Sequence, residues 1–258
     1  MDFEIKSVKV KSSDKIHTLR GKIFIPSGEI KGILHFVHGM TEHINRYDSF
    51  FVEFAKNGYV CCGYDNLGHG KTVDGKDELG FIAHKKGYDF LMRDVKVFSD
   101  KIRKNYPKVP YILMGHSMGS FIVRGTAVNY VTDPDKLIIC GTGGPNHFSA
   151  AGLLITDILK LFKGEKYISK AVDKIAFGAF NKHFEGTSEY SWLTKNHEIT
   201  EAYSKDELCT FKFTVSAMHD LVKLNRIANS RKFFKKLDKS IPVLIVSGDN
   251  DPVGDYSK

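Results

Sequence analysis

The sequence predicts an α/β fold with a mostly parallel sheet and helices on both faces. Apolar runs of strand length alternate with amphipathic runs of helical spacing, which is the order produced by crossovers between parallel strands. Several apolar runs show no polar alternation, as is typical of strands buried on both faces. One block of helical and irregular sequence interrupts this order and predicts an inserted segment.

The first elements follow each other without a long gap. Residues 4–11 and 19–25 each alternate apolar and polar positions, and they predict an antiparallel hairpin. Gly32–Val37 is a continuous apolar run and predicts a buried strand. Residues 48–57 have helical spacing, and the glycine at position 58 is typical of a helix C-terminus.

The alternation continues through the middle of the chain and returns near its end. The predicted strands are residues 59–64, 111–114, 137–140 and 243–246. The predicted helices are residues 88–105, 117–130 and 215–237. The chain between successive strands is long enough for crossover connections, so these strands are expected to pair in parallel.

Between residues 146 and 210 the sequence has helical and irregular patterns without a strand. We therefore predict a core over residues 1–145, a helical cap or lid inserted over residues 146–210, and the continuation of the core over residues 211–258. In the insertion, apolar residues at 154, 158, 161 and 162 follow helical spacing. Two interpretations stay open: a lid helix over an acyl-chain pocket that dips into a lipid surface, or an amphipathic helix packed on the core.

Composition and charge disfavour several other classes of protein. The net charge is +8, but the lysines are scattered, which favours solvated helix faces over a nucleic-acid partner. The N-terminus lacks the apolar region of a signal peptide, and no run approaches the roughly 18 apolar residues of a membrane span. Four cysteines without a CxxC pair suit the cytoplasm. We predict a cytoplasmic protein, with transient peripheral contact of the cap with a membrane as an open alternative.

Two kinds of cofactor chemistry are also disfavoured. Gly70-Lys71-Thr72 follows a strand, but Asp65 occupies the position where a phosphate-binding loop needs its first glycine. No HExxH or comparable cluster of histidines and acids indicates a metal hydrolase. We predict neither a metal nor a cofactor, and no pattern predicts the oligomeric state.

The segment Gly115-His116-Ser117-Met118-Gly119 matches G-x-S-x-G, directly after a predicted buried strand and directly before a predicted helix. A nucleophile elbow needs this context, because the serine hydroxyl must stand clear of the sheet on a sharp turn whose flanking glycines avoid clashes. The helix N-terminus behind the serine favours developing negative charge. The motif predicts an α/β-hydrolase fold with Ser117 as the nucleophile, and the alternative is a structural glycine-rich turn.

Acyl transfer also needs hydrogen-bond donors for the oxyanion of the tetrahedral intermediate. One should be the backbone N–H of Met118, the residue after the nucleophile. The second is expected in the loop after the first buried strand, where Gly39 lets the backbone approach closely, and we predict the N–H of Met40. The side chains of His38 and His43 in this loop are interpreted as packing residues.

Three segments resemble the motifs of one family in order and spacing. Residues 38–47, HGMTEHINRY, resemble the HGxGEHxxRY segment of monoacylglycerol lipases and related bacterial lysophospholipases, which are α/β-hydrolases of the serine aminopeptidase S33 type. Residues 65–72, DNLGHGKT, resemble their DxxGHGxS segment, and residues 115–120 resemble their GHSMGG elbow. Thr41 and Ser120 depart from the pattern, each replacing a glycine.

The resemblance implies a serine esterase that cleaves single-chain lipid esters, such as a monoacylglycerol or a lysophospholipid. The same family includes peptidases and other esterases. Cap residues 180–184 and 191–196 also resemble the lysophospholipase-like members. Both Asp249 and Asp251 follow the last predicted strand, where ligands bind in open α/β sheets. The family pattern G-x-x-D-x-V assigns the catalytic acid to Asp251.

The general base is missing from this sequence. In the α/β-hydrolase order the histidine follows the acid, but all eleven histidines precede Asp251. Two interpretations remain: the chain is part of a longer enzyme, without the last strand, helix and histidine loop, or it is a hydrolase-fold protein that binds ligands without turnover. The first is favoured because the apolar strand Val243–Val246 would otherwise form an uncovered edge. The 258-residue chain alone is expected to hydrolyse esters barely above background.

Overall fold

The computed structural model describes residues 2–130, 132–184 and 188–257. Strands in these residues form one seven-stranded sheet in the order β1-β2-β4-β3-β5-β6-β7. The strands are β1 (Phe3–Lys11), β2 (Thr18–Pro26), β3 (Gly32–Val37), β4 (Tyr59–Tyr64), β5 (Tyr111–His116), β6 (Lys136–Cys140) and β7 (Val243–Val246). The helices are α1 (Asp48–Lys56), α2 (Gly87–Arg103), α3 (Met118–Asn129), α4 (Ser149–Lys163), α5 (Lys170–Phe177), α6 (His197–Lys205), α7 (Val215–Ala228) and α8 (Arg231–Lys236).

Strands β1 and β2 form the predicted antiparallel hairpin, and β2 also pairs antiparallel with β4. All other neighbouring strands, from β4 through β3, β5 and β6 to β7, pair in parallel. The predicted α/β class with a mostly parallel sheet is therefore confirmed. The carboxyl ends of the parallel strands meet at one edge of the sheet, which is where open α/β sheets bind ligands.

Strand β3 lies in the middle of the sheet and is buried along its whole length. Its side chains alternate between two apolar clusters. Ile33 and Val37 pack with residues of α2, α3 and α7, whereas Leu34 and Phe36 pack with residues of α1 on the other face. Burial on both faces explains why the sequence of this strand is apolar at almost every position.

The prediction of one helix over residues 215–237 is wrong, because the structure divides this region into α7 and α8. Asn229 follows the end of α7 in a non-helical conformation. Ser230 then begins α8, where its hydroxyl accepts the N–H of Phe233 as an N-cap. Apolar spacing did not reveal the break, because neither glycine nor proline marks it.

In the described part of residues 146–210 the chain forms α4, α5 and α6 and no strand, while the boundaries of a cap stay a prediction. Helix α4 packs against α7 and buries Leu153 and Thr156. Four apolar residues of α4, which we call its apolar face, are exposed: Leu154, Ile158, Leu161 and Phe162. The helix thus packs on α7 of the core, as one interpretation has it, but through a side other than its apolar face. No helix among the described residues is both long and apolar enough to cross a membrane.

Helix α3 approaches β3 so closely that Gly119 has no room for a side chain. A Cβ atom at Gly119 would lie 2.1 Å from the Val37 carbonyl oxygen. We expect Gly119→Ala to force α3 away from β3 and to lower the free energy of unfolding by about 3 kcal/mol, as overpacking does in tight cores. Urea denaturation followed by circular dichroism measures this change.

Gly144→Ala is the matched control, because no atom lies within 4 Å of the Cβ position of Gly144. This control is expected to change the free energy of unfolding by less than about 0.5 kcal/mol. Equal losses in the two variants would contradict the steric explanation.

Candidate active site

Ser117 lies on the turn between β5 and the N-terminus of α3. Its backbone has φ +52° and ψ −119°, a conformation that residues with a side chain rarely adopt. The turn is tight, since a Cβ atom at Gly115 would lie 2.3 Å from the Gly119 carbonyl oxygen. Strained backbone of this kind concentrates at functional sites, because the surrounding structure must hold it in place.

The loop of residues 38–43 lies directly against this turn. A Cβ atom at Gly39 would lie 3.1 Å from the Cβ of Ser117, so a larger residue would separate the two segments. Within the described chain, the backbone N–H groups of Met40 and Met118 have no hydrogen-bond acceptor. The N–H of Ser117 instead donates to the Cys140 carbonyl oxygen at 2.9 Å. The N–H groups of Met40 and Met118 are therefore unpaired, and each directly follows one of the two residues in contact, Gly39 and Ser117.

The buried carboxylate of Glu42 holds the 38–43 loop from inside the protein. It accepts the Gly39 N–H at 2.5 Å, the Arg46 guanidinium at 2.5 Å and the Tyr47 hydroxyl at 2.9 Å. The Nδ1 atom of His116, which precedes the predicted nucleophile, lies 3.2 Å from the same carboxylate. One side chain thus connects the loop, the residues after it and the end of β5.

The ionisation of Glu42 follows from these contacts. Burial acts to raise the pKa of Glu42, since it disfavours the charged form. The hydrogen bond with His116 and the charges of His116 and Arg46 outweigh burial and hold the pKa of this carboxyl well below its usual range. Glu42 is therefore ionised at neutral pH and can accept hydrogen bonds on both oxygens.

The DNLGHGKT segment supports the same loop and contributes no reacting group. Asp65 accepts the N–H of Ile44 at 2.8 Å and the N–H of Lys71 at 2.7 Å, so it joins the two segments. The Nε2 atom of His69 accepts the N–H of Thr41 at 3.3 Å. Burial lowers the pKa of His69 to about 3, which leaves the ring neutral and able to accept.

The two other histidines of the loop have packing roles, as predicted. The Nε2 atom of buried His38 accepts the N–H of Asn66 at 2.9 Å. The Nε2 atom of His43 lies 2.8 Å from the carboxylate of Asp206, which follows α6. His38 therefore links the loop to the core, and His43 links it to the region predicted as the cap.

Asp251 lies in the loop after β7, close to the carboxyl end of β6. Its Oδ2 atom is 3.4 Å from the Cβ position of Gly141. Gly141 directly follows Cys140, whose carbonyl oxygen accepts the N–H of Ser117. Asp251 is half-buried, whereas Asp249 is exposed. The structure thus brings Ser117 and Asp251 to the same edge of the sheet, on either side of the end of β6.

No histidine in the described residues forms a hydrogen bond with Ser117 or Asp251. The Nδ1 atom of His116 is engaged by the Tyr47 hydroxyl at 3.1 Å and by Glu42. These contacts hold the ring as part of the scaffold. The geometry therefore contains a strained serine and an acid, and it does not join them through an imidazole.

The sequence predictions missed a buried polar network beneath Ser117. The hydroxyl of Ser120 donates to the Ser117 carbonyl oxygen at 2.5 Å and lies 2.7 Å from the Thr142 hydroxyl. Thr142 belongs to the loop after β6, two residues beyond Cys140. Ser120, which replaces the last glycine of the elbow motif, therefore connects the turn of Ser117 to the loop after β6.

Arg124 is the charged member of this network. Its guanidinium donates to the Ala228 carbonyl oxygen at 2.6 Å and to Asn229 Oδ1 at 3.0 Å, and it lies over the Phe233 ring. No carboxylate in the described residues pairs with it, and burial lowers the pKa of Arg124 to about 10. The carbonyl of Ala228 is available because α7 ends there. The sequence did contain a signal, since an arginine interrupts an otherwise apolar helix.

A cavity of about 690 Å³ lies between the segment predicted as the cap and the loop that carries Asp251. His183 and Phe184 line one side, and Asn250 and Tyr256 line the other. Ser117 does not line this cavity. The cavity therefore lies where the segment predicted as the cap meets the loop after β7.

His43, Asp206 and Cys209 could offer one nitrogen, one oxygen and one sulfur ligand within 4.8 Å of one another. In this structure these groups are engaged with each other, since His43 lies in hydrogen-bond distance of Asp206. Burial raises the pKa of the Cys209 thiol to about 12, so it carries its proton at neutral pH. We assign no metal to this cluster.

Comparison with known proteins identifies the family. The family model for serine aminopeptidase, S33, matches residues 28–258. The chain belongs to this family. Monoglyceride lipase of Rattus norvegicus is 24% identical over 230 residues, covering 89% of this chain and 68% of that protein. Monoacylglycerol lipase of Mycolicibacterium smegmatis is 22% identical over 230 residues, covering 89% of this chain and 73% of that protein.

Solved structures agree with this assignment. A thermostable carboxyl esterase from Bacillus coagulans matches with a TM-score of 0.91 at 26% identity, over 98% of this chain and 83% of that chain. A monoglyceride lipase from Saccharomyces cerevisiae shares the fold with a TM-score of 0.73 at 16% identity, over 98% of this chain and 79% of that one. The predicted α/β-hydrolase fold and family resemblance are confirmed. This member of the S33 family is a serine hydrolase of the α/β-hydrolase type.

The depressed pKa of Glu42 makes part of the stability of the protein depend on pH. Its contribution is fully present above the unfolded pKa of about 4.3 and is lost as the pH falls below that value. We expect Glu42→Gln to lower the free energy of unfolding by about 3 kcal/mol at pH 7, because it leaves Arg46 without its counter-ion. Urea denaturation at a series of pH values measures the difference.

The difference between wild type and Glu42→Gln should shrink below about pH 4, because the Glu42 carboxyl of the unfolded state then gains a proton while that of the folded state stays ionised. Glu53→Gln on α1 is the control, because Glu53 is exposed and forms only a surface pair with Lys56. A loss of stability in Glu42→Gln that stays constant with pH would rule out the ionised carboxylate as its cause.

Proposed function

We propose that this protein is a serine esterase that cleaves carboxylic esters through an acyl-enzyme, with Ser117 as the nucleophile. The observation that carries the proposal is the strained backbone of Ser117 at the N-terminus of α3, next to two backbone donors without acceptors. Met40 and Met118 would donate these N–H groups to the oxyanion. Asp251 would be the acid of the triad.

In this mechanism the Ser117 oxygen attacks the ester carbonyl carbon, and its proton passes to a general base. The tetrahedral intermediate carries its negative charge on the former carbonyl oxygen, where the two N–H groups stabilise it. Collapse of the intermediate releases the alcohol with that proton and leaves the acyl group on Ser117. Water then hydrolyses the acyl-enzyme by the same steps. No residue described here is placed to act as the base.

Single-chain lipid esters are the proposed substrates. Two relatives that each align with 89% of this chain are named monoglyceride lipase and monoacylglycerol lipase. These names support a monoacylglycerol or a lysophospholipid as the substrate. The exposed apolar face of α4 also suits a protein that meets lipids. Another ester or a peptide remains an alternative within the same family, whose description names an aminopeptidase.

A second candidate is a hydrolase-fold protein that binds ligands without turnover. The observation in its favour is that no histidine in the described residues forms a hydrogen bond with Ser117 or Asp251. The two candidates differ in one respect that can be measured. A catalytic serine reacts with an activated phosphonate when a base is present, whereas an ordinary serine does not.

We expect a form of the protein that supplies a histidine beyond residue 258 to hydrolyse monoacylglycerol and lysophospholipid, and to do so faster than short-chain esters or aminoacyl amides. Ser117→Ala in that form should lower kcat by about 10⁶, because the nucleophile is lost. Release of fatty acid across a panel of these substrates measures both effects.

Ser204→Ala is the matched control, because Ser204 is exposed and its hydroxyl bonds only the Glu201 carbonyl oxygen within α6. A fluorophosphonate probe should label the extended form and the Ser204→Ala form, and it should not label Ser117→Ala. Preference for amides would replace the lipid-ester proposal with a peptidase. Absence of labelling in the extended form would favour the binding protein.

The apolar face of α4 is the proposed contact with a lipid surface. Leu161 is 78% exposed and Phe162 is 76% exposed, and the exposed cations Lys163 and Lys166 follow them. Apolar side chains that enter the lipid interface beside basic residues bind best to anionic membranes. The proposed contact is peripheral and transient.

We expect the double variant Leu161→Ser, Phe162→Ser to bind vesicles of phosphatidylcholine and phosphatidylglycerol at least about tenfold more weakly, because it removes two large apolar side chains from the interface. Co-sedimentation with vesicles measures the partition coefficient. Ile16→Ser is the control, since Ile16 is also exposed but lies in the β1–β2 turn. Equal binding by the double variant and wild type would show that α4 does not contact the membrane.

A further inference from the structure

Thr41 has a backbone conformation that a threonine does not readily adopt. Its φ is +51°, in the left-handed region that favours glycine. Crowding at the branched Cβ makes this conformation especially unfavourable for threonine. The related lipase motif has a glycine at this position, so the substitution requires the structure around Thr41 to hold the loop. Met40, one of the proposed oxyanion donors, directly precedes Thr41.

Tyr203 of α6 supplies much of that restraint. Its hydroxyl donates to the Thr41 carbonyl oxygen at 2.6 Å, and the Thr41 hydroxyl lies 2.9 Å from the same Tyr203 oxygen. Tyr203 is only 6% exposed, so water does not compete readily for these hydrogen bonds. The core contributes one further bond, from the Thr41 N–H to His69. Both the carbonyl and the side chain of Thr41 are therefore held by the inserted region.

Two further contacts join the same end of α6 to the loop. The Oδ2 atom of Asp206 lies 2.8 Å from the Nε2 atom of His43. His43 is two residues after Thr41 in the sequence. The guanidinium of Arg46 lies 4.8 Å from the centre of the Tyr203 ring and pairs with Glu42. The end of α6 is thus attached to the segment on the C-terminal side of Thr41 as well as to Thr41 itself.

We propose that Tyr203 is a positioning residue that holds the backbone of Thr41 in its strained conformation, so that the loop with the adjacent Met40 donor is in place only when α6 is seated on the core. The inference rests on the proposed function in one respect, the assignment of the Met40 N–H as a donor. Removal of the Tyr203 hydroxyl would let Thr41 relax towards negative φ. This change would rotate the peptide groups on either side of Thr41. A glycine at position 41 would make the loop independent of Tyr203, because glycine adopts the conformation without strain.

Hydrogen exchange of single backbone amides, followed by NMR, tests this proposal without any catalysis. The amides of Gly39 and Thr41 report the loop, because they donate to Glu42 and to His69. We expect Tyr203→Phe to accelerate their exchange by about tenfold, as the loss of one or two hydrogen bonds does. The phenylalanine keeps the ring contact with Arg46, so the fold should be retained.

Rescue distinguishes positioning from a general loss of packing. Tyr203→Phe in a Thr41→Gly background should leave exchange at the Gly39 amide within about twofold of Thr41→Gly alone, because no strain remains to be released. Tyr167→Phe, which removes a hydroxyl from an exposed tyrosine before α5, should change neither amide. The proposal is overturned if Tyr203→Phe leaves both amides unchanged, or if Tyr203→Phe accelerates exchange equally with threonine and with glycine at position 41. Neither outcome depends on whether Ser117 reacts with a phosphonate.

Discussion

The ion pair and hydrogen bonds of the buried Glu42 carboxylate are the interaction on which the candidate site depends. A buried carboxylate is stable only when donors satisfy it, and here the donors come from the residues that shape the site. The Gly39 N–H fixes the backbone immediately before Met40. His116 connects the same carboxylate to the end of β5 and hence to Ser117. Within the HGMTEHINRY segment, the Glu42 carboxylate is therefore the charged centre, and Gly39, Arg46 and Tyr47 are its donors at the edge of the sheet.

The strain at Ser117 is stabilised by packing that extends well beyond the turn. Gly119 lets α3 touch β3, and Ser120 ties the Ser117 carbonyl to the loop after β6. Arg124 continues this network to the carbonyl at the end of α7. Since each of these groups is buried, loss of one leaves its partners unsatisfied in the network that supports the Ser117 turn.

The sequence predicted the parts of the fold whose cause is local. Gly32–Val37 and Val243–Val246 are apolar runs, and both are strands with the predicted limits. Apolar periodicity could not predict the break at Asn229, where the freed backbone and side chain accept hydrogen bonds from Arg124, more than a hundred positions earlier. Periodicity likewise detected that α4 is amphipathic, but it did not reveal that Leu153 and Thr156 form the buried side. Sequence motifs predicted Ser117 and Asp251. The structure shows what surrounds them, namely Ser120 beneath Ser117 and Gly141 beside Asp251.

A carboxylate beside the proposed oxyanion hole presents an electrostatic difficulty, since it would repel the negative charge of the tetrahedral intermediate. The contacts of Glu42 reduce that repulsion. Arg46 neutralises the carboxylate directly, and the Tyr47 hydroxyl and Gly39 N–H direct their positive ends towards it. The N–H groups of Met40 and Met118 are not used by Glu42, so they stay available to a new negative charge. Because the donors of Glu42 are fixed before any ester binds, the loop need not reorganise as that charge develops.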